Sequence, residues 1–181
     1  LARYFHAAGK NVLGYDKTET KLTTELQNEG ISISFEDVVD EKFSELNKEN
    51  TLVIYTPAIK VLGILDYFNQ NGFEVLKRAK VLGLITENTE CISVAGTHGK
   101  TTTSSLVAHL CKVANLPFSG FLGGIAENYK SNFIYNGTEI SVLEADEYDR
   151  SFLNLSPDWA IVTSIDADHL DIYGDTETIE Q

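Results

Sequence analysis

Apolar and polar positions along the chain repeat a simple alternation. The apolar run NVLGYD (11–16) is followed by a helix-prone stretch from about Thr18 to Asn28, with Leu22 and Leu26 on one face and Gly30 to stop it. ISISF (31–35) has the period of two that sends alternate side chains to opposite faces of a strand. TLVIYT (51–56) is a β-branched run ended by Pro57, and helical spacing returns from Val61 to Asn71, before Gly72. The strand EVLK and a helix from about Arg78 to Thr86 complete this half. Strands separated by helices predict a parallel sheet with helices on its faces, because a parallel connection has to cross over. Ahead of it, Leu1, Phe5 and Ala8 fall at helical spacing and Gly9 suits the residue after a helix, so 1–8 reads as the latter part of a helix.

The pattern pauses at the polar patch TENTE (86–90) and restarts with CISVAG (91–96). A helix is expected to about Ala114, with Leu106, Val107 and Leu110 as its apolar positions, then a loop at NLPFSG. Asn136-Gly137 predicts a turn or hairpin within Phe133 to Thr138. EISVLEAD (139–146) and WAIVTSID (159–166) read as two further buried strands. A boundary near residue 88 therefore divides the chain into domains 1–88 and 89–181. Each reads as incomplete: the first opens on half a helix, and the second stops where TETIEQ should open another, so a fragment is expected.

Composition narrows the classes. With 181 residues, 43% hydrophobic and 23% charged, the chain can bury a core without disulfides or metals. No apolar run reaches the roughly 18–20 residues of a membrane span, and LARYFHAAGK lacks the form of a signal peptide. Cys91 and Cys111 sit in apolar segments and read as reduced core residues of a cytoplasmic protein. A net charge of −13 argues against a partner that is nucleic acid or an anionic membrane, and Trp159 and the tyrosines form no base-stacking pattern. A nucleotide site, which needs only a few local positive groups, is still allowed.

The candidate chemistry falls at the ends of the strands in the second half. The strand ending at Ala95 runs into Gly96-Thr97-His98-Gly99-Lys100-Thr101-Thr102 and then into a helix. Glycines let backbone N–H groups converge on phosphate oxygens, and the helix N-terminus adds partial positive charge. Lys100 would reach the outer phosphates and the Thr101 hydroxyl would ligate Mg²⁺. Val94 stands where the eight-residue P-loop has its first glycine, so the match is the shorter Gly-x-x-Gly-Lys-Thr. The bland alternative is an ordinary strand-to-helix turn with a capping threonine. Glu144, at the end of the next apolar strand, is the expected metal carboxylate, followed by Asp146, Glu147 and Asp149, which a solvated loop would equally explain. Asp166, Asp168, His169 and Asp171 follow the strand after that, and an imidazole among carboxylates suits a second metal or a phosphate. Since ligands of open parallel sheets bind beyond the carboxyl ends of the strands, all three clusters are expected on one rim. In the first half, Asp16 and Thr56, the latter opening Thr56-Pro57-Ala58-Ile59, end strands and are candidate substrate contacts. His6 and His109 read as packing or surface residues.

AGTHGKTTT, EADEYDRSFLNLSPD and AIVTSIDADHLDIYG together resemble the Mur ligases, over essentially the whole chain. The resemblance implies an α/β protein in which a Rossmann-like UDP-binding domain is followed by a P-loop parallel-sheet ATPase domain. It implies a ligase using ATP and Mg²⁺ that joins L-alanine to the lactyl carboxylate of UDP-N-acetylmuramate through an acyl phosphate. Carried over by motif, Lys100 would stabilise the transferring phosphoryl group, Thr101 and Glu144 would hold one Mg²⁺, and His169 the second. A family member that attaches a tripeptide to the same nucleotide sugar shares GTHGKTTT and EADEYD, and a non-catalytic nucleotide-binding module is the alternative from another class.

Overall fold

The computed structural model describes residues 1–56, 61–145 and 152–166, which form two compact units, Leu1–Val81 and Leu82–Gln181. The division falls inside a helix, upstream of the 86–90 patch, because the latter part of that helix packs on the second unit. A Cβ on Gly83 would come within 2.2 Å of the Asn154 carbonyl oxygen, and the Thr86 hydroxyl accepts the Ser156 N–H at 3.0 Å.

The first unit contains α1 (Ala2–Ala7), β1 (Leu13–Tyr15), α2 (Lys21–Asn28), β2 (Ser32–Ser34), α3 (Glu41–Ser44), β3 (Leu52–Tyr55), α4 (Gly63–Gln70) and β4 (Glu74–Lys77). β1 pairs with β2 and β3 with β4, both in parallel, as the strand–helix alternation predicts. Helix α2 begins at a reciprocal capping box, in which Thr20 accepts the Thr23 N–H and Thr23 accepts the Thr20 N–H. Its inward residue is Thr23; Leu22, expected on the buried face, is 48% exposed. Phe43, Ile64 and Phe68 form the core under β1, β3 and β4, with Phe68 edge-on to Phe43 and Phe73. Asp37 fixes the start of α4, its carboxylate accepting the N–H groups of Gly63 and Ile64 at 2.8 and 2.9 Å.

The second unit holds α5 (Arg78–Thr86, which begins in the first), β5 (Glu90–Ala95), α6 (Lys100–Val113), β6 (Phe118–Ala126), β7 (Ser131–Tyr135), β8 (Ile140–Glu144) and β9 (Trp159–Val162). Its five strands run in the order β7-β6-β8-β5-β9, parallel except for the antiparallel β6–β7 pair. Ala108 and Cys111 of α6 pack on Phe118, Leu122, Ile134 and Val142.

Four expectations need correction here. NLPFSG is not all loop, since β6 starts at Phe118. Its glycines hid it, yet Gly120 is the residue that lets α6 approach, a Cβ there lying 3.3 Å from that of Ala108. Asn136-Gly137 makes the expected turn, from β7 to β8, but not a hairpin, since those strands are not neighbours; the hairpin lies between Ala126 and Ser131, where Lys130 takes a positive φ. The buried face of α6 is Ser104, Ala108 and Cys111, whereas Leu106 and Leu110 are exposed. β9 is likewise an edge strand rather than a buried one, with Trp159 60% exposed and its indole N–H donated to Glu90. Among the described residues, no helix is long and apolar enough to cross a membrane.

Candidate active site

β5 and β8 are adjacent and parallel, with Val94 opposite Glu144, so the loop after β5 and the end of β8 emerge on the same rim. That register is what brings two sequence-distant motifs together. The loop turns at Gly96 (φ +120°) and again at Gly99 (φ +82°), conformations that residues with a Cβ adopt at a cost. Gly99 is the N-cap of α6 and has no side chain with which to cap the first helical N–H groups. The Lys100 ammonium folds back over the loop to the Gly96 carbonyl, at 2.7 Å.

Glu144 is held from three sides. The Thr101 hydroxyl donates to Oε2 at 3.0 Å, the Ser104 hydroxyl to Oε1 at 3.0 Å and the Gly123 N–H to Oε1 at 2.6 Å. Thr101 and Ser104 lie one helical turn apart on α6, and Gly123 belongs to β6 on the other side of β8. All these donors and acceptors are hard oxygens or backbone, and the Thr101–Glu144 pair is the set that suits a small hard cation such as Mg²⁺. Among the described residues, no cluster of three or more His, Cys, Asp or Glu side chains offers a competing metal site.

The front of this loop is tied to the chain that follows β9. The N–H groups of Thr97 and His98 go to the carbonyl and hydroxyl of Ser164, at 2.9 and 3.2 Å. The Thr163 hydroxyl donates to the carbonyls of Ala95 and His98, at 3.1 and 2.5 Å. A cleft of about 310 Å³ runs between α6 and the β6–β7 turn, lined by Thr101, Thr102, Ser105, Asn128 and the hydrogen-bonded pair His109 and Tyr129. His109 packs against Tyr129, as a packing residue is expected to, and also lines the cleft that Thr101 lines.

Of the expected residues, Gly96 through Thr102 and Glu144 are together on this rim. Asp16 and Thr56 belong to the first unit, each just past a parallel strand and exposed; Asp16 accepts the Thr18 N–H at 3.0 Å. His169, Asp168, Asp171, Asp146, Glu147, Asp149 and Pro57 to Ile59 lie outside the described residues. Sequence reasoning missed Ser104, Gly123, Thr163 and Ser164. Ser104 was open to discovery as the residue one turn beyond Thr101, but Gly123 reaches Glu144 only through a strand that read as loop.

A mainly parallel sheet in which an inner strand runs through a glycine-bent loop into a helix, with a carboxylate from the neighbouring strand on the hydroxyl at the start of that helix, is the arrangement of P-loop proteins. Residues 1–89 match the model described as Mur ligase family, catalytic domain, and residues 94–181 match the Mur ligase middle domain. A UDP-N-acetylmuramate–L-alanine ligase of Flavobacterium psychrophilum is 55% identical over 181 residues, covering 99% of this chain and 40% of that protein. Among solved structures, the UDP-N-acetylmuramate:L-alanyl-γ-D-glutamyl-meso-diaminopimelate ligase of Neisseria meningitides superposes with a TM-score of 0.80 at 25% identity, over 99% of this chain and 60% of that one. The UDP-N-acetylmuramate-alanine ligase of Thermotoga maritima does so with a TM-score of 0.78 at 29% identity, over 98% and 41%. The chain belongs to the Mur ligase family. It spans about two-fifths of the length of the curated relatives it matches.

Proposed function

We propose that this chain supplies nucleotide-sugar-binding and ATPase parts of an ATP-dependent ligase joining L-alanine to the lactyl carboxylate of UDP-N-acetylmuramate, in the cytoplasm, for peptidoglycan synthesis. The observation that carries the reading is the meeting of the Thr101 hydroxyl and the Glu144 carboxylate at 3.0 Å at the mouth of the phosphate loop. The identity to alanine ligases, 55% over the chain in one case, favours L-alanine as the amine.

In this mechanism the lactyl carboxylate attacks the γ-phosphorus of ATP, the bond to the β,γ-bridging oxygen breaks and ADP leaves. The alanine amine then attacks the acyl carbon, loses a proton, and expels inorganic phosphate, which carries away one oxygen of the former carboxylate. Both reactants of the first step are anions, so the principal demand on the protein is charge neutralisation and alignment. Lys100 meets that demand at the transferring phosphoryl group, and the N–H groups at the start of α6 donate to phosphate oxygens. Mg²⁺, when bound, supplies further neutralisation; Thr101 and Glu144 would hold one ion and His169 a second. Ser104 and the Gly123 N–H orient Glu144 for this. Asp16 and Thr56 are proposed to contact the nucleotide sugar.

The test is ATP-dependent phosphate release by the full-length protein with UDP-N-acetylmuramate and either L-alanine or the tripeptide L-alanyl-γ-D-glutamyl-meso-diaminopimelate. Release with L-alanine supports the proposal. A preference for the tripeptide would favour the second reading, which the TM-score of 0.80 to a tripeptide ligase keeps open. Release with neither would leave a nucleotide-binding module.

A further inference from the structure

The loop after β9 does more than continue the chain toward His169. Thr163 is joined to the end of β5 by its own N–H, which donates to the Ala95 carbonyl at 3.0 Å, and its hydroxyl proton is shared between the Ala95 and His98 carbonyls. The Thr97 hydroxyl makes the reverse pairing, accepting the Asp166 N–H at 2.9 Å and donating to the Asp166 carbonyl at 3.2 Å. The Thr97 and His98 N–H groups are committed to Ser164. The approach is so close that a Cβ on Gly96 would lie 2.3 Å from the Thr163 hydroxyl oxygen and 2.7 Å from the Ser164 carbonyl. The Thr97 hydroxyl, the Thr97 and His98 N–H groups and the His98 carbonyl are therefore engaged with 163–166, and phosphate contacts are assigned to the loop's second half, from Gly99 to Thr102.

We infer that Thr97 and Thr163 are positioning residues, whose hydroxyls lock the phosphate loop and the segment after β9 in one register. Neither hydroxyl is assigned to phosphate, because each is engaged with the other segment. Each acts by holding the loop that leads to the N–H groups of Gly99–Thr102 in a fixed place against residues 163–166. The inference rests on the reading of 96–102 as a phosphate loop and adds to it which residues set the loop's position.

The test compares Thr163→Val with Thr163→Ser in the full-length protein, measuring phosphate release per folded enzyme at varied ATP. Valine keeps the bulk and removes the hydroxyl. A loop displaced by a fraction of an ångström should lower kcat by about 10-fold or more while leaving KM for ATP within about 3-fold, because binding draws on the whole nucleotide. Serine should restore kcat to near the wild-type value. A folded valine variant with unchanged kcat, or a serine variant as impaired as valine, overturns the inference. If Thr163→Val does not fold, Thr97→Val against Thr97→Ser asks the same question from the other side of the contact. A wild-type protein that releases no phosphate would overturn the phosphate-loop reading itself, and this inference with it.

Discussion

Gly123→Ala is the sharpest way to ask whether the Glu144 carboxylate matters where it stands. A Cβ on Gly123 would lie 2.4 Å from Glu144 Oε2, 2.9 Å from Cδ and 3.0 Å from Oε1. Non-bonded carbon and oxygen atoms settle nearer 3.4 Å, so the carboxylate must withdraw by about 1 Å. The φ of Gly123 is not positive, and an alanine fits the backbone there without strain. Displacement loosens the bonds to Thr101, Ser104 and the Gly123 N–H, at a cost of about 1–2 kcal/mol because the carboxylate is only half-buried and water replaces what is lost. If Glu144 holds the metal as proposed, the catalytic cost is larger, since misplacing a catalytic group by about 1 Å is worth about 100-fold in rate. The expected result is a protein that melts within a few degrees of wild type and releases phosphate about 100-fold more slowly, in a coupled assay at saturating ATP and Mg²⁺. Gly124→Ala is the control: its Cβ would meet only the Thr101 methyl, at 3.1 Å, and a small yielding there should cost less than about 5-fold. Wild-type rates in Gly123→Ala would refute the assignment of Glu144 to the metal.

Other perturbations follow from the same geometry. Lys100→Ala should lower phosphate release by at least about 1000-fold with little change in melting temperature, and a fall confined to KM would mean that the lysine only binds nucleotide. Asp37→Ala removes the acceptor of two N–H groups at the start of α4 and should cost about 1–2 kcal/mol in urea unfolding, with no loss expected if solvent caps the helix equally well. Burial pushes the Cys91 and Cys111 thiols above their usual pKa, so at pH 8 neither should react with a thiol reagent until the chain is unfolded. Because these thiols hold their protons more tightly when folded, their contribution is full below the unfolded thiol pKa and declines as pH rises through and above it. Rapid labelling of the native protein would contradict the burial.

Much of the fold was legible because the segments that carry it have unambiguous periods. TLVIYT, EVLK and CISVAG became β3, β4 and β5 within a residue or so, since β-branched runs bounded by proline, glycine or polar residues have few other uses. PFSGFLGGIA failed as a strand because glycine usually breaks strands, and the close approaches that need Gly120 and Gly123 are tertiary facts. Leu106 and Leu110 looked like core by hydrophobicity, yet the small residues Ser104 and Ala108 face the sheet, where α6 comes near. At the site, the loop and Glu144 were legible as motifs, and their meeting followed from strand order. The hydroxyls of Ser104, Thr163 and Ser164 carry no signature of their own. Their significance comes from the neighbours that a parallel sheet places beside them, 40 to 66 positions away in the chain for Ser104 and Ser164.

The proposed acyl-phosphate route can be followed atom by atom. UDP-N-acetylmuramate labelled with ¹⁸O in its lactyl carboxylate, turned over by the full-length protein with ATP and L-alanine, should give inorganic phosphate carrying one ¹⁸O per phosphate, read by the isotope shift in ³¹P resonance. Unlabelled phosphate formed together with the amide product would contradict transfer of the phosphoryl group to the carboxylate, and with it the chemistry assigned to Lys100, Thr101 and Glu144.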